Sequence, residues 1–276
     1  MKASVAGYAR AQSLDHAFNL LHGALGEAVV IAGGHSLVAS LNLRLSEEAL
    51  LVDIRHLPEL RGIGVRDGFL RLGALTRHAE LASDPLVGEH VPLLAQAAPL
   101  IAHAAIRSRG TLGGSLANAD PAAELPACMI ALGAEILVRS AQGERRIPVH
   151  SFFEGLFTTA LEESEIIIAV DVPLKTAGDQ HVIHELTRRS GDYAIVGLAG
   201  VKSVNGVRLA YFGVSDKPVL AAGAMDTLNS GGSIDDAVAA LRGDLDPESD
   251  PHASAEYRRH LAAVLMRRVM VDLTNS

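Results

Sequence analysis

The chain has 276 residues, 49% of them hydrophobic and 20% charged, which is typical of a globular protein with one large domain or two modest ones. Its formal net charge of −8 at pH 7 argues against nucleic acid as the main partner, because phosphate backbones are bound by basic surfaces. The one cysteine, Cys128, excludes an internal disulfide, a multi-thiolate zinc site and a cysteine-held iron-sulfur cluster within this chain.

Residues 1–75 are predicted to form a small α+β unit. The amino terminus is mixed in polarity and shows no targeting segment. After Ser13, a suitable helix cap, apolar residues recur at helical spacing at Leu14, Ala17, Phe18, Leu21 and Leu25. A strand at 28–32, a helix at 37–45, the strand LLVDI and a hairpin over 64–73 about Asp67-Gly68 follow in that order.

A mostly apolar stretch, VPLLAQAAPLIAHAAI, dominates the next region, which opens with Thr76 as a predicted helix cap. The stretch is expected to be helical and largely buried. Gln96, Pro99 and His103 interrupt it too often for a membrane span. We therefore expect a cytoplasmic protein without a membrane span. A helix over 122–132 and strands at 135–140, 145–149 and 165–173 complete the region.

The polar segment LKTAGDQ marks a predicted domain boundary. Residues 1–173 are assigned to one domain, divided near residue 75, and residues 178–276 to a second. Strands are predicted in the second domain at 181–188, 193–204 and 208–215, with Asn205-Gly206 as a hairpin turn. A helix over 234–241 follows the cap Ser233, and a long helix covers 255–273. Its four arginines are predicted to lie on a solvated face: Arg258, Arg259, Arg267 and Arg268.

Two glycine pairs are the most informative local feature of the chain. Gly33-Gly34 occurs in VVIAGGHSL and Gly113-Gly114 in IRSRGTLGGSLANADP, each with a serine close behind it. Glycine permits positive φ and close approach of a ligand, so that successive backbone NH groups can point at an anion such as a diphosphate. Neither segment matches a P-loop or reads G-x-G-x-x-G. The alternative interpretation is a pair of ordinary tight turns.

Other chemistry-bearing residues form no recognised motif. The twelve histidines are scattered without an H-E-x-x-H pattern, so no metal site is expected. No Ser-His-Asp or paired-carboxylate arrangement calls for a catalytic acid, base or nucleophile. Cys128 lies in the apolar run LPACMIALGA and is predicted to be a buried small side chain.

Four segments together resemble a known family. The runs AGGHSLVASLNLRL, IRSRGTLGGSLANADPAAELPA, LTRRSGDYAIVG and SAEYRRHLAAVLMRR are similar to the FAD-binding medium subunit of molybdenum hydroxylases, such as carbon monoxide dehydrogenase and xanthine dehydrogenase. The resemblance covers nearly the whole chain. It implies an α+β fold with a two-subdomain FAD domain of the vanillyl-alcohol oxidase type. A small carboxy-terminal domain with a three-stranded sheet and helices would follow.

The resemblance also implies a set of FAD-binding residues. The first segment supplies Ala32, Gly33, Gly34, His35 and Ser36, and the second supplies Thr111, Gly113, Gly114 and Ser115. Both segments would offer backbone NH groups and short hydroxyls to the diphosphate.

Four further positions follow from the same resemblance. Glu124 stands where related proteins carry an acidic residue near the cofactor, but it also suits a solvated carboxylate early in a helix. Asp120 precedes a proline and equally suits a helix cap. Tyr193 matches an aromatic residue beside the isoalloxazine, which would limit access of water and oxygen; the alternative is an ordinary half-buried strand tyrosine. Ile101 is placed on the other side of the ring, although simple core packing explains it as well.

The implied function is electron transfer by FAD. A large molybdopterin-containing subunit would oxidise the substrate, and a small subunit with two 2Fe-2S clusters would pass electrons to the FAD held here, in a dimer of heterotrimers. Two alternatives stay open. One is a self-contained flavin reductase of the same fold, which would use NADPH and an enoyl substrate; the other is a flavin-free scaffold, against which the intact glycine pairs argue.

Overall fold

The computed structural model describes residues 5–24, 27–46 and 49–275. An amino-terminal unit is built on a parallel three-stranded sheet in the order β1-β3-β2. Its elements are β1 (Gly7–Arg10), α1 (Leu14–Gly23), β2 (Ala28–Ile31), α2 (His35–Leu43) and β3 (Leu50–Asp53). The predicted cap of α1 is confirmed, because the Ser13 side chain accepts a hydrogen bond from the His16 backbone NH. Leu25 lies outside the described residues.

The predicted hairpin is confirmed but belongs to a different sheet from the one expected. Strands β4 (Ile63–Arg66) and β5 (Phe69–Gly73) are joined at Asp67 and Gly68, which both have positive φ, 50° and 84°. The sequence predicts this hairpin as part of the amino-terminal unit. The structure instead pairs β5 with β10 (Ile166–Pro173) in a five-stranded sheet. The reason is burial, since Leu70 and Leu72 are fully buried in the core of that sheet.

Six short helices follow β5 in the chain, before the next strand of the same five-stranded sheet. They are α3 (His78–Ser83), α4 (Pro85–His90), α5 (Pro92–Ala97), α6 (Ala104–Arg107), α7 (Leu112–Asn118) and α8 (Glu124–Leu132). The predicted cap at Thr76 is wrong: α3 begins after Arg77, and the Thr76 hydroxyl is buried with no partner among the described residues. The apolar stretch forms α5 and then leaves the helix before Pro99, because proline cannot continue it.

Three further strands complete the five-stranded sheet, and the buried carboxylate of Asp171 forms hydrogen bonds between its strands. These strands are β6 (Glu135–Ser140), β7 (Gly143–Pro148) and β10 (Ile166–Pro173), and the small hairpin β8 (Phe153–Gly155) and β9 (Thr158–Thr159) lies between β7 and β10. Asp171 on β10 accepts hydrogen bonds from Arg71 on β5 at 2.6 and 2.7 Å and from Arg146 on β7 at 2.8 Å. Burial alone would raise the pKa of Asp171, but the two arginines hold it below its usual value.

The carboxy-terminal unit packs helices on an antiparallel sheet in the order β11-β12-β13-β14. Its elements are β11 (Gln180–Leu186), β12 (Val196–Ser203), β13 (Gly206–Phe212), β14 (Val219–Leu220), α9 (Ala222–Asn229), α10 (Ile234–Asp244) and α11 (Ala255–Asn275). The three predicted strands and two predicted helices are present, and β14 and α9 are additional. Ser233 caps α10 as predicted, with its hydroxyl accepting from the Asp236 backbone NH.

One of the four arginines of α11 is not solvated as predicted. Arg258 is only 8% exposed. Its guanidinium donates to the Gly213 carbonyl at 2.8 Å and pairs with Asp250 at 2.6 Å. Arg258 therefore joins helix α11 to Gly213, which follows β13, and to Asp250 in the segment before the helix. Arg259 and Arg267 keep exposed side chains.

Helix α8 joins the second sheet to the carboxy-terminal unit. Arg208 on β13 donates to the carbonyls of Ile130 and Ala131 at 2.8 and 2.9 Å, at the end of α8 where carbonyls lack helical partners. Gln96 donates to the His181 carbonyl at 3.0 Å. These contacts fix the sheet that carries Glu185 against the helix that carries Glu124. Across the described ranges, no helix is long and apolar enough to cross a membrane.

Candidate functional site

A cavity of about 200 Å³ lies where strands β2 and β3 of the amino-terminal unit end. Strands β2 and β3 run parallel with Ile31 opposite Asp53, so the residues that follow them meet at one edge of the sheet. The cavity, here called the arginine cavity, is lined by Ala32, Gly33, Arg55, His56, Arg61, Leu75, Arg77, Arg109 and Thr111. The structure thus brings Ala32 and Gly33 of the first glycine segment and Thr111 of the second to one cavity, together with four arginines.

The first glycine segment has backbone NH groups that are free to bind a ligand. Gly34 precedes helix α2 with a φ of 79°, a conformation that favours glycine. The NH groups of Gly33, Gly34, His35 and Ser36 form no hydrogen bond with any described residue. These NH groups stand at the amino-terminal end of a nine-residue helix, where an anion is favoured.

The second glycine segment is arranged differently from what the sequence suggested. It forms helix α7, and its NH groups are already used within the protein. The Gly113 NH donates to the Ala74 carbonyl at 2.8 Å, and the Gly114 NH donates to the Thr111 hydroxyl at 3.2 Å. Both NH groups therefore have partners within the protein, and their donation to a diphosphate stays a prediction. Its hydroxyl-bearing residues Thr111 and Ser115 remain predicted ligands.

At three of the four glycines, a side chain would collide with a neighbouring atom, and the neighbour differs from one glycine to the next. A Cβ atom on Gly33 would lie 2.6 Å from the Arg109 carbonyl, and one on Gly113 would lie 2.9 Å from the Ala74 carbonyl. Both positions must therefore be glycine, because another part of the backbone lies where a side chain would begin. A Cβ atom on Gly114 would meet only the Thr111 hydroxyl, at 2.8 Å, on an exposed surface beside the arginine cavity.

Arg55 is held in the cavity wall by a buried carboxylate. Asp53 is fully buried and accepts from the Arg55 Nε at 3.0 Å, from its Nη2 at 2.7 Å and from the Tyr8 hydroxyl. Burial alone would raise the pKa of Asp53, but these hydrogen bonds hold it far below its usual value. The same pair raises the pKa of Arg55. Arg55 is therefore a fixed cation at the cavity.

His78 holds the loop before helix α7 in place. Its backbone NH donates to the Gly110 carbonyl at 3.0 Å, and its Nε2 lies 3.1 Å from the Thr111 carbonyl. Burial lowers the pKa of His78 to about 4, so the ring is neutral at pH 7 and its Nε2 hydrogen donates to Thr111. Burial also lowers the pKa of His35, with a further contribution from Arg109.

A group of carboxyls and Tyr193 forms a second part of the site. The carboxyl of Asp120 faces the Tyr193 hydroxyl, and its pKa is raised by burial. Glu124 begins helix α8 and is only 8% exposed; burial, with a contribution from Glu185, raises its pKa to about 8. Burial raises the pKa of Glu185 to about 7, and one of its oxygens has no partner among the described residues. Glu124 is therefore not the solvated carboxylate of the alternative interpretation.

Glu124 is expected to make the stability of the flavin-free chain fall as the pH rises. Its pKa is raised in the folded chain from an ordinary value of 4.5 to about 8, so between these values the folded chain holds a proton that the unfolded chain has lost. The free energy of unfolding then decreases by up to about 1.4 kcal/mol per pH unit in that window. In Glu124→Gln this contribution disappears, which urea unfolding at pH 5, 6.5 and 8 measures. The exposed Glu248→Gln is the control; parallel pH curves for wild type and Glu124→Gln would contradict the assignment.

Tyr193 and Ile101 lie on neighbouring turns. Tyr193 is 69% exposed in the loop between β11 and β12, so it is not a half-buried strand residue. In the same loop, Gly191 packs directly against the His103 ring and the Ala102 carbonyl, next to Ile101. Ile101 itself is 8% exposed and belongs to the main hydrophobic core. An exposed tyrosine and a largely buried isoleucine therefore stand on adjoining segments.

Sequence analysis missed the arginines of the cavity and Glu185. Arg55 had a usable signal, since it follows a buried strand that is parallel to the one ending at the first glycine pair. Arg61 and Arg77 had none, because they come from separate turns that only the folded chain brings together, whereas Arg109 stands in the second glycine segment itself. Glu185 is likewise defined by the packing of β11 against helix α8.

Comparison with known proteins places the whole chain in a family. Residues 3–175 match the FAD binding domain in molybdopterin dehydrogenase, and residues 181–273 match the CO dehydrogenase flavoprotein C-terminal domain. The chain is 38% identical over 281 residues to the 6-hydroxypseudooxynicotine dehydrogenase complex subunit alpha of Paenarthrobacter nicotinovorans, which covers 98% of this chain and 95% of that protein.

Two comparisons with carbon monoxide dehydrogenase agree with this placement. The chain is 34% identical to the carbon monoxide dehydrogenase medium chain of Hydrogenophaga pseudoflava, with 95% of both chains covered. A solved structure of carbon monoxide dehydrogenase from the same organism, lacking the Mo-pyranopterin moiety of the molybdenum cofactor, superimposes with a TM-score of 0.95 at 33% identity. That superposition covers 99% of this chain and 98% of the other.

Proposed function

The chain belongs to the family of FAD-binding medium subunits of molybdenum hydroxylases, and from this membership we propose that it holds FAD between its two glycine segments and passes electrons to an external acceptor. The electrons would come from the 2Fe-2S clusters of a small subunit, while a large subunit with the molybdenum cofactor oxidises the substrate. Such a subunit is part of an oxidoreductase and needs no catalytic acid, base or nucleophile of its own.

The arginine cavity is the observation that carries this proposal. A diphosphate has two negative charges, and the cavity offers four arginines and the backbone of Gly33, where the segment with free NH groups begins. The residues present therefore fit the charged part of FAD. Arginine matches phosphate oxygens through its planar fork of donors, which explains how the site can dispense with lysine.

The residues of the chain would bind, orient and shield the cofactor. When bound, FAD accepts electrons singly and can deliver a pair, which suits a junction between iron-sulfur clusters and an acceptor. Gly33 to Ser36 and Thr111 would hold the diphosphate, while Asp120 and Glu124 would approach the ribityl and ring end. Ile101 and Tyr193 would cover opposite faces of the ring.

Three further points belong to this proposal. The amino-terminal domain, residues 1–173, is taken to be of the vanillyl-alcohol oxidase type, and residues 178–276 to form the carboxy-terminal flavoprotein domain. The complex is taken to be a dimer of heterotrimers. A cytoplasmic location stays a prediction from the sequence.

The visible absorption spectrum of the purified chain tests the proposal. A flavin spectrum, with release of FAD and not FMN on denaturation, is expected. Co-expression should yield a complex with a large molybdopterin subunit and a small iron-sulfur subunit. A colourless chain that takes up no FAD would support the flavin-free scaffold, and NADPH-dependent turnover of an enoyl substrate by the chain alone would support the self-contained reductase.

Tyr193→Ala is expected to retain FAD but to make the reduced cofactor react faster with oxygen. Tyr193 is 69% exposed, so its removal should open one face of the ring with little effect on the fold. Stopped-flow reoxidation of the photoreduced chain in air-saturated buffer measures the effect. Tyr257→Ala, at an exposed tyrosine on helix α11, is the control. An unchanged reoxidation rate in Tyr193→Ala would count against the shielding role.

A further inference from the structure

The arginine cavity carries positive charge that the described part of the chain does not neutralise. Arg61, Arg77 and Arg109 are exposed, and none of them forms an ion pair with a described carboxylate. No aspartate or glutamate lines the cavity. Like charges held this close repel one another, so an anion that enters the cavity gains attraction from all of them.

Arg55 presents unused donors from a fixed position. Its Nε and Nη2 donate to Asp53, which lies under the cavity and is further held by Tyr8. A guanidinium has five donor hydrogens in a rigid plane. Among the described residues, no hydrogen bond is formed by Arg55 Nη1, while the Tyr8 hydroxyl lies close enough to contribute to the raised pKa of Arg55. The Nη1 edge is therefore available to an anion without loss of the Asp53 contact.

The other arginines are anchored to the cavity by their backbones and neighbours. Arg61 donates from Nη2 to the Arg55 carbonyl at 2.8 Å. The Arg109 carbonyl lies against the Cα of Gly33, so this residue stands at the contact between the two glycine segments. Arg77 is joined to Thr111 by a backbone bridge. The four cations thus surround one small volume from three separate turns and one strand end.

We propose that the arginine cavity is a phosphate-binding site in which Arg55, positioned by Asp53 and Tyr8, binds a phosphate oxygen directly, with Arg61, Arg77 and Arg109 as further ligands. The inference rests on the proposed function, because the phosphate it takes there is the diphosphate of FAD. It assigns the binding of that group to side chains outside the two glycine segments. The arginines would make the chain select FAD over flavins that lack the phosphates.

Binding of FAD, riboflavin and inorganic pyrophosphate to the flavin-free full-length chain tests the inference. Arg61→Gln and Arg77→Gln change exposed arginines and leave the Asp53 pair intact. Each is expected to weaken FAD binding by about 10- to 100-fold, the usual range for one charge-assisted hydrogen bond, and to leave riboflavin binding unchanged. Arg66→Gln, at an exposed arginine on β4 outside the cavity, is the matched control and should change neither.

Arg55 requires a variant that keeps Asp53 paired. Arg55→Lys retains the charge but loses the planar fork, so we expect FAD binding to fall by about tenfold, with a lower unfolding midpoint because the buried Asp53 loses one of its two guanidinium hydrogen bonds. Tyr8→Phe removes one hydrogen bond to Asp53 and should weaken FAD binding less than Arg55→Lys. Raising the salt concentration should reduce the difference between wild type and the variants, because salt screens the attraction.

The outcomes separate this inference from the proposed function. Unchanged FAD affinity in the arginine variants, or an equal loss of FAD and riboflavin binding, would overturn the inference alone. If the wild-type chain binds pyrophosphate but not FAD, the proposed function fails. The phosphate site is then supported only if the arginine variants bind pyrophosphate more weakly than wild type. If the wild-type chain binds neither compound, both fail.

Discussion

Gly114→Val is expected to release FAD while the chain stays folded. Gly114 is exposed, and a side chain there would meet only the Thr111 hydroxyl, at the edge of the arginine cavity. Valine would therefore occupy the space of the ligand. We expect binding at least about 100-fold weaker, which corresponds to roughly 3 kcal/mol, so that the chain loses its flavin on gel filtration.

This substitution should lower the free energy of unfolding only slightly. Displacing the Thr111 hydroxyl removes a helix cap, which costs about 1 kcal/mol. Flavin occupancy after gel filtration and the urea unfolding midpoint are measured together. Gly88→Val is the matched control, since Gly88 is an exposed glycine in the short helix α4 with no atom near its missing Cβ. Normal flavin occupancy in Gly114→Val would remove the second glycine segment from the site.

Gly33→Ala is expected to destabilise the chain itself. Its Cβ atom would lie 2.6 Å from the Arg109 carbonyl and 3.0 Å from the Gly110 Cα, so the two glycine segments must move apart. Overpacking of this kind costs about 1 to 3 kcal/mol. The flavin-free variant should therefore unfold at a lower urea concentration than wild type, and its FAD affinity should fall because Arg109 is displaced.

A glycine-to-alanine change without a clash provides the control. Gly23 ends helix α1 with nothing within 4 Å of its missing Cβ atom. Gly23→Ala should be neutral or slightly stabilising, since alanine loses less backbone freedom on folding than glycine. If Gly33→Ala unfolds at the wild-type urea concentration, the close contact between the segments is not a structural requirement.

Local sequence signals predicted the elements whose causes are local. Ser13 and Ser233 cap their helices, and Asp67-Gly68 and the Asn205-Gly206 turn join their strands, because each depends on a few neighbouring residues. The destination of the hairpin was not predictable in this way. Strand β5 pairs with β10, about a hundred residues later in the chain, and only burial of its leucines in the distant sheet decides that partner.

The candidate site was predictable in its glycines but not in its charges. The sequence identified both glycine pairs, but it assigned one physical role to all four residues. The structure shows free NH groups only in the first segment and a close backbone contact at Gly33 and at Gly113. Arg258 was misassigned for a related reason: helical spacing places it beside solvated arginines, whereas the partners that bury it are loop carbonyls and Asp250.

The most direct test of the central claim is a crystal structure of the full-length chain with FAD. The account predicts the diphosphate within hydrogen-bond distance of the NH groups of Gly33 to Ser36 and of the Arg55 guanidinium, with the ring between Ile101 and Tyr193. FAD bound at another place on the chain, with the arginine cavity holding no phosphate, would contradict it.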